Sequence, residues 1–255
     1  MKLSRRPIER VLVLVPTYNE HDNLPLIVER LRSSVPDADI MVLDDNSPDG
    51  TGKIADELAA DDARVRVMHR EGKEGLGKAY LAGFAWGLEH GYDALVEIDA
   101  DGSHPPEVLP SMLAAAADAD LVIGSRWVPG GKVVNWPWQR ELLSRGANLY
   151  TRALLGMPVG DATAGYRVYR ASALRTIGLE DIASQGYCFQ VDLTWQTIQA
   201  GLKVIEVPIT FVERQIGASK MSRDIMLESL TKISGWGLEY RWHQVRGLTS
   251  RRGRP

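Results

Sequence analysis

The stretch ALVEIDAD, residues 94–101, indicates both how the chain folds and where its chemistry lies. It begins as a short apolar run typical of a buried strand and ends in Asp99 and Asp101, two carboxylates one residue apart. Acidic side chains this close repel each other unless a cation lies between them. The stretch therefore predicts a core strand that carries an acidic pair to the edge of a sheet.

Similar apolar runs lie on both sides of this strand and alternate with segments of helical spacing. The predicted strands are Val11–Val15, Ile40–Leu43, Val65–Met68, Ala94–Ile98 and Leu121–Ile123. The predicted helices are Leu24–Leu31, Ile54–Leu58, Tyr80–Leu88 and Val108–Ala116. This alternation predicts an α/β fold with a mostly parallel central sheet and helices on both faces. Folds of this kind bind their ligands at the carboxyl ends of the strands.

Two other polar segments, Pro16–Glu20 and Asp44–Ser47, also follow predicted strands directly. Turns and helix caps explain some of these polar residues, but they do not explain a carboxylate pair straight after an apolar strand. Magnesium and manganese ions take oxygen ligands and are typically shared between carboxylates and substrate phosphates. Asp99 and Asp101 are therefore predicted ligands of Mg²⁺ or Mn²⁺ at the edge where the three segments converge.

The composition and the missing motifs argue against several classes of protein. The 255 residues are 44% apolar and 25% charged, and a net charge of −3 gives no reason to expect nucleic-acid binding. Cys188 is the single cysteine, so an internal disulfide is impossible, and no apolar run reaches the roughly 18 residues of a membrane-spanning helix. The GxxxxGK[ST] and GxSxG motifs are absent, and no GxGxxG follows the first strand. P-loop ATPases, ordinary dinucleotide-binding oxidoreductases and serine hydrolases are therefore disfavoured.

Beyond Gly124 the pattern changes to a segment rich in tryptophan, arginine and glycine, residues 126–146. Helices are predicted around 139–155 and 187–200, and strands near 165–169 and 203–213. The predicted organisation is one large domain over residues 1–223, followed by an appendage over residues 224–255 that comprises a helix and a basic tail.

Six motifs, taken in order, resemble glycosyltransferase family 2 and, more narrowly, are similar to its dolichol- and polyprenol-phosphate mannose synthases. They are PTYNE at 16–20, DDNSPDGT at 44–51, DAD at 99–101, GSR at 124–126, DATAGYR at 161–167 and GASKMS at 217–222. The resemblance implies a nucleotide-sugar-binding, Rossmann-like GT-A fold in the large domain. It also implies a metal-dependent, inverting transfer of mannose from GDP-mannose to the phosphate of a dolichol-type polyprenol, giving polyprenyl β-mannosyl phosphate and GDP.

The resemblance assigns roles to individual positions of this chain. Those that match contacts to the donor nucleotide are Pro16, Tyr18, Glu20, Asp45 and Ala100. Those that match ligands of the metal or the donor diphosphate are Asp99, Asp101 and Lys220, with Arg214 as an assisting residue. Those that match contacts to the acceptor phosphate are Arg126, Arg140 and Ser144. The predicted catalytic residues are Asp101, Arg126 and Lys220, and Lys220 lies on a loop expected to close over the substrate.

The charge of the acceptor determines which groups the reaction needs. A lipid phosphate is already anionic at neutral pH, so it can attack the sugar without a protein base. Three alternatives remain open. A polyprenyl-phosphate glucosyltransferase using UDP-glucose would share the same loops, and a transferase for hydroxyl acceptors would need a base, for which Asp161 is a candidate. A non-catalytic nucleotide-binding or scaffolding protein would bind the nucleotide without turnover.

Aromatic and basic residues predict contact with a membrane surface. Trp127, Trp136 and Trp138 accompany several arginines, a combination that suits the lipid headgroup region. Residues 236–254 repeat this combination near the C-terminus. The expected location is the cytoplasmic face of the membrane, with peripheral binding either to the bilayer or to a separate membrane-anchoring subunit.

Overall fold

A seven-stranded sheet and a separate pair of strands organise the chain, of which the computed structural model describes residues 6–180, 182, 187–214 and 233–235. The strands are β1 (Val11–Thr17), β2 (Asp39–Asp44), β3 (Val65–His69), β4 (Ala94–Glu97), β5 (Leu121–Ser125), β6 (Lys132–Val134), β7 (Arg167–Arg170), β8 (Val204–Pro208) and β9 (Thr210–Val212). The helices are α1 (Leu24–Ser34), α2 (Thr51–Asp61), α3 (Leu76–Glu89), α4 (Leu109–Ala115), α5 (Trp138–Leu155), α6 (Ala171–Ile177) and α7 (Tyr187–Gln199), with a short 3₁₀ turn at Pro106–Val108.

The large sheet has the order β3-β2-β1-β4-β7-β5-β8. Strand β7 runs antiparallel to both of its neighbours, and the other paired strands are parallel. The register of β1 and β2 sets Thr17 opposite Asp44, so the polar segments that follow these strands begin side by side. All five strands and four helices predicted for the first half are present within a few residues of their predicted bounds. The predicted α/β fold is therefore confirmed.

Apolar side chains fill both faces of this sheet, as the continuous apolar character of its strands requires. Helices α3, α6 and α7 pack on one face, and α1, α2 and α4 pack on the other. Helix α3 comes very close to the strands, because a Cβ on Gly87 would lie 2.5 Å from the side chain of Leu95. Glycine is the residue that permits this approach.

The second half differs from the sequence prediction in its strands. The strand predicted near 203–213 is two strands, because the chain passes from the large sheet to the small one at Ile209. The Ile209 N–H donates to the Ser125 carbonyl oxygen of the large sheet, and the Ile209 carbonyl oxygen accepts the Lys132 N–H of the small sheet, each at 3.0 Å. Strand β6 and helix α6 were not predicted, since they span only three and seven residues.

The C-terminal predictions lie largely outside the described residues. Of the helix predicted over 224–245, Ile233–Gly235 are described and are helical. Lys220 lies outside the described residues, and the domain boundary at residue 223 stays a prediction. No helix in the described part of the chain combines the length and apolar character needed to cross a bilayer.

Candidate active site

The acidic pair lies just beyond the end of β4, with its two carboxylates in different surroundings. The Asp99 side chain is 35% exposed, whereas that of Asp101 is 6% exposed. Arg214 Nη2 lies 2.5 Å from Asp101 Oδ2, and the Ser103 backbone N–H donates to Asp101 Oδ1 at 3.0 Å. Burial by itself would raise the pKa of Asp101, but hydrogen bonding from Ser103 and the nearby His104 and Arg214 lower that pKa below its usual range. Asp101 is therefore ionised at neutral pH.

A buried histidine connects this pair to an aromatic wall. His104 Nδ1 lies 3.6 Å from Asp99 Oδ2, and burial lowers the pKa of His104 to about 4. The histidine ring packs against Tyr166 and Phe211, with ring centroids 5.4 and 5.2 Å away. At neutral pH the ring is uncharged, so its positive charge acts on Asp101 only at acidic pH.

The turns after β1 and β2 are joined by hydrogen bonds to Asp44. Thr17 donates its hydroxyl to Asp44 Oδ1 at 3.1 Å, and Ser47 donates its hydroxyl to the same oxygen at 2.6 Å. Asn19 and Asn46 have φ angles of 55° and 54°, in the left-handed region that asparagine tolerates better than most residues. These turns hold the two predicted nucleoside-binding segments in a defined arrangement.

The predicted nucleoside contacts lie along these same turns. Glu20 is buried at the start of the turn before α1, and Asp45 forms an ion pair with Arg70. Burial raises the pKa of Asp45, although the charge of Arg70 opposes the shift. Pro16 is half-buried in β1, and Ala100 is buried between the two acidic residues. The structure thus brings these predicted positions to one sheet edge.

Two cationic residues at this edge were not predicted. Arg70 directly follows β3 and holds Asp45, and the Lys73 amine lies 4.4 Å from the ring centroid of half-buried Tyr18. Ligands bind at the carboxyl ends of parallel strands, and Arg70 is the first residue after the carboxyl end of β3. The same rule could therefore have identified Arg70 from the sequence. Arg70 is paired with both Asp45 and Glu74, so of these two cations Lys73 is the one whose charge suits a ligand that carries phosphates.

Arg126 directly follows β5 and is fixed by a buried carboxylate. Its Nε and Nη2 donate to the two oxygens of Asp161, each at 2.7 Å, and its backbone N–H adds a third bond at 3.0 Å. Burial by itself would raise the pKa of Asp161, but Arg126 and these hydrogen bonds lower it. Because Asp161 is fully buried and both oxygens are engaged, it is badly placed to act as a base toward an acceptor hydroxyl.

The segment that carries this aspartate is held by two other charged side chains, one half-buried and one fully buried. The Glu206 carboxylate accepts the backbone N–H groups of residues 160 and 161 at 2.7 and 2.9 Å. The fully buried Arg167 donates to the carbonyl oxygens of Ala162 and Ala164, each at 2.7 Å. The motif at 161–167 therefore forms a rigid support for Arg126.

Aromatic rings surround the arginines that were predicted to bind the acceptor. We call this group the arginine–tryptophan cluster; its members are Arg126, Trp127, Trp136, Arg140, Arg145 and Phe211. Arg126 Cζ lies 5.5–5.6 Å from the centroids of all three rings. Arg140 Cζ lies 4.2 Å from Trp136, and Arg145 Cζ lies 4.1 Å from Trp127. Such contacts orient guanidinium groups without neutralising their charge.

The three tryptophans predicted to contact lipid fall into two groups. Trp127 and Trp136 are half-buried in the cluster, with ring centroids 6.4 Å apart. Trp138, at the first position of α5, is 69% exposed. Cation–π packing gives the first two a role within the cluster, and Trp138 is the most exposed of the three. Lipid contact by these tryptophans stays a prediction.

Two adjacent residues directly after β9 connect the acidic pair to the arginine–tryptophan cluster. Glu213 forms an ion pair with Arg140, and Arg214 forms one with Asp101. Arg140, predicted to bind the acceptor, and Asp101, predicted to bind the donor, are therefore linked through two neighbouring residues of the backbone. Neither Glu213 nor its pairing was predicted, because the sequence separates it from Arg140 by 73 residues.

The last predicted contact to the acceptor phosphate, Ser144, lies on α5. Ser144 is half-buried on α5, one turn beyond Arg140, and its carbonyl oxygen accepts a hydrogen bond from Asn148 at 3.0 Å. Lys220 lies outside the described residues, so its position relative to the acidic pair stays a prediction.

The acidic pair fits a hard divalent cation that substrate phosphates help to hold. The partly exposed Asp99 can offer a carboxylate oxygen directly, whereas Asp101 would exchange its contact with Arg214 for the cation. Phosphate oxygens and water would supply the remaining ligands, as at other magnesium and manganese sites. Among the described residues, no group of three histidine, cysteine, aspartate or glutamate side chains forms a metal site made of protein alone. His104 Nδ1, beside Asp99, is buried and has no hydrogen-bond partner in the described part of the chain.

Sequence comparison places the chain among known transferases. Residues 12–178 match the family model described as glycosyl transferase family 2. The polyprenol monophosphomannose synthase of Mycolicibacterium smegmatis is 58% identical over 245 residues, which are 95% of this chain and 92% of that protein. The undecaprenyl-phosphate mannosyltransferase of Micrococcus luteus is 57% identical over 237 residues, covering 93% of this chain and 98% of that protein.

Structural comparison agrees on the fold. The glucosyl-3-phosphoglycerate synthase of Mycobacterium tuberculosis, solved with Mn²⁺, uridine diphosphate and glucosyl-3-phosphoglycerate, superposes with a TM-score of 0.63. The match has 20% sequence identity and covers 91% of this chain and 80% of that one, so it supports the GT-A fold alone. Family model, close relatives and fold agree: the chain belongs to glycosyl transferase family 2.

Proposed function

We propose that this protein transfers mannose from GDP-mannose to the phosphate of a polyprenol lipid, supported by Mg²⁺ or Mn²⁺. The observation that carries the proposal is the placement of an acidic pair and an arginine–tryptophan cluster at one sheet edge, connected through His104 and Phe211. The names of the two relatives, which are 57–58% identical over most of the chain, support mannose as the sugar and a polyprenyl phosphate as the acceptor.

The acidic pair is assigned to the donor. Asp99 and Asp101 would hold the divalent cation, which neutralises the charge that develops on the GDP leaving group. The turns after β1 and β2, with Tyr18, Glu20 and Asp45, would hold the nucleoside beside it. Lys220 is proposed to add positive charge near the donor diphosphate.

The arginine–tryptophan cluster is assigned to the acceptor. Arg126 and Arg140 would bind the lipid phosphate, with Ser144 as a further contact, because guanidinium groups match the geometry of phosphate oxygens. An oxygen of the bound phosphate attacks C1 of mannose while the bond from C1 to the GDP oxygen breaks, and its electron pair leaves with GDP. Attack from the face opposite the leaving group inverts C1 and gives a β-linked mannosyl phosphate. No protein base is needed, which agrees with the engagement of Asp161 by Arg126.

The outer face of α5 supports peripheral contact with a bilayer. Trp138, Leu142 and Leu149 are 69%, 63% and 68% exposed, unusual values for large apolar side chains. They lie four and then seven residues apart, so they share one face of the helix with Arg145 and Arg152. Apolar side chains interleaved with arginine suit a headgroup region, and the same helix carries Arg140 to the acceptor site. Contact at the cytoplasmic face would give the enzyme access to its lipid.

The decisive experiment combines the purified protein, radiolabelled GDP-mannose, Mn²⁺ or Mg²⁺, and a polyprenyl phosphate in detergent or vesicles. Label that moves into organic solvent, and disappears when the acceptor is an uncharged polyprenol, supports the proposed reaction. Mild acid should release that label as mannose, because a mannosyl phosphate is acid-labile.

Parallel reactions distinguish the remaining alternatives. Transfer from UDP-glucose but not from GDP-mannose would retain the mechanism and replace the donor. Nucleotide binding without transfer to any acceptor, even with added membranes that could supply an anchoring subunit, would favour a non-catalytic protein.

A further inference from the structure

Trp136 lies between the two arginines assigned to the acceptor phosphate. Its ring centroid is 5.5 Å from Arg126 Cζ and 4.2 Å from Arg140 Cζ. The residue before it, Asn135, has a φ of 64°, so a turn in the left-handed region directs the chain into this position. The indole Nε1 is buried and has no acceptor in the described part of the chain.

The arginine–tryptophan cluster has more hydrogen-bond donors than acceptors. Its carboxylate partners are already engaged, since Asp161 holds Arg126, Glu213 holds Arg140 and Glu141 holds Arg145. Trp127 Nε1 and Arg140 Nε are also buried without an acceptor among the described residues. A buried donor without an acceptor is unfavourable, so three of them next to paired cations indicate an acceptor group supplied by a ligand.

We infer that Trp136 is a binding residue for the acceptor phosphate and donates its indole N–H to a phosphate oxygen between Arg126 and Arg140. The inference rests on the proposed function, in which those arginines bind that phosphate. A neutral donor adds a directional bond without further positive charge, while the indole ring holds Arg140 in place. The same N–H would favour a phosphate over an apolar group at this position.

The test removes the indole N–H and keeps the aromatic ring. The variant Trp136→Phe is assayed with geranyl phosphate, a short polyprenyl phosphate that is used in solution, so membrane contact plays no part. Because a hydrogen bond to a charged group stabilises the bound state, its loss should raise KM for geranyl phosphate about 10-fold. KM for GDP-mannose should stay within about twofold of the wild type, because the donor site is untouched.

A second variant separates the hydrogen bond from packing. Replacing Trp136 by 3-benzothienylalanine exchanges the N–H for sulfur at nearly constant shape, so it should reproduce the rise in KM without lowering Tm. The matched control is Trp86→Phe, whose ring stacks on His90 with centroids 3.7 Å apart, outside the site. An unchanged KM for geranyl phosphate in the benzothienylalanine variant would overturn the inference, and the indole N–H would then only contact neighbouring rings such as Phe211, 5.2 Å away.

Failure of the proposed function can be distinguished from failure of this inference. If the wild-type protein transfers no sugar, the binding of geranyl phosphate is measured by calorimetry, with geranyl alcohol as the uncharged control. Phosphate-dependent binding that weakens about 10-fold in the benzothienylalanine variant would support the role of Trp136 without catalysis. Equal binding by wild type and variant, or no binding at all, would reject it.

Discussion

The acidic pair and the arginine–tryptophan cluster meet at one sheet edge, but they are built in different ways. Asp99 and Asp101 follow a strand of the large sheet, and Asp99 retains a side chain that is 35% exposed. The arginines instead follow β5 or lie on α5, and each is held by a carboxylate and by aromatic rings. Asp101 is paired with Arg214 and the Asp99 carboxylate remains accessible to a ligand, whereas every arginine of the cluster is already held by a carboxylate and an aromatic ring.

The largest effect is expected from Asp101→Asn, which removes one charge from the acidic pair. Loss of an electrostatic contact to the reacting diphosphate should lower kcat/KM about 1000-fold, or ~4 kcal/mol. Steady-state kinetics measure the activity, and electron paramagnetic resonance of free Mn²⁺ measures the metal affinity, which should fall as well. Asp118→Asn, at an exposed position in the turn after α4, serves as the control. Wild-type affinity for Mn²⁺ in Asp101→Asn would refute the metal assignment.

The next effect concerns stability and tests whether the cluster is preorganised. Asp161→Asn leaves Arg126 buried without its paired charge, and breaking a buried pair of this kind should cost about 3 kcal/mol of unfolding free energy. Urea denaturation monitored by circular dichroism gives this value. Glu141→Gln breaks the surface pair with Arg145 and should change stability by less than about 0.5 kcal/mol. Equal losses in the two variants would contradict preorganisation around Arg126.

A third effect addresses the acceptor directly. Arg140→Gln removes one of the two guanidinium groups assigned to the phosphate, and the loss of a charge-assisted hydrogen bond should raise KM for polyprenyl phosphate about 20-fold. KM for GDP-mannose should hardly change, because Arg140 lies in the arginine–tryptophan cluster. Steady-state kinetics with each substrate varied in turn give the two KM values. Arg175→Gln, on α6, is the control variant. A rise confined to the donor KM would reverse the assignment of the two regions.

The acidic pair was predictable from the sequence because it depends on local order. An apolar strand followed by carboxylates, within an alternation of strands and helices, places Asp99 and Asp101 at a sheet edge without knowledge of any distant contact. The same rule would have found Arg70 after β3. The motif resemblance supplied Arg126 and Arg140, but it did not supply their partners.

The rest of the cluster could not be predicted because its contacts join distant parts of the chain. Glu213 reaches Arg140 across 73 residues, and Phe211 lies on a three-residue strand too short for a periodic signal. Trp127 and Trp136 were assigned to lipid because composition does not distinguish an exposed tryptophan from one that packs on arginine. Packing, which only the three-dimensional arrangement reveals, decides which tryptophan faces outward.

The smallest effect is expected from Glu213→Gln, and it tests whether the cluster's internal carboxylates compete with the acceptor. Glu213 and Arg140 have side chains 25% and 27% exposed, so their ion pair is partly screened and should contribute only about 0.5–1 kcal/mol. If the phosphate must displace Glu213 to reach Arg140, the variant should lower KM for polyprenyl phosphate about threefold. Mn²⁺ affinity should stay constant, because Arg214 keeps its own contact with Asp101. A higher KM would show instead that Glu213 positions Arg140 for the phosphate, and the ion pair would then be part of the binding site rather than a competitor for it.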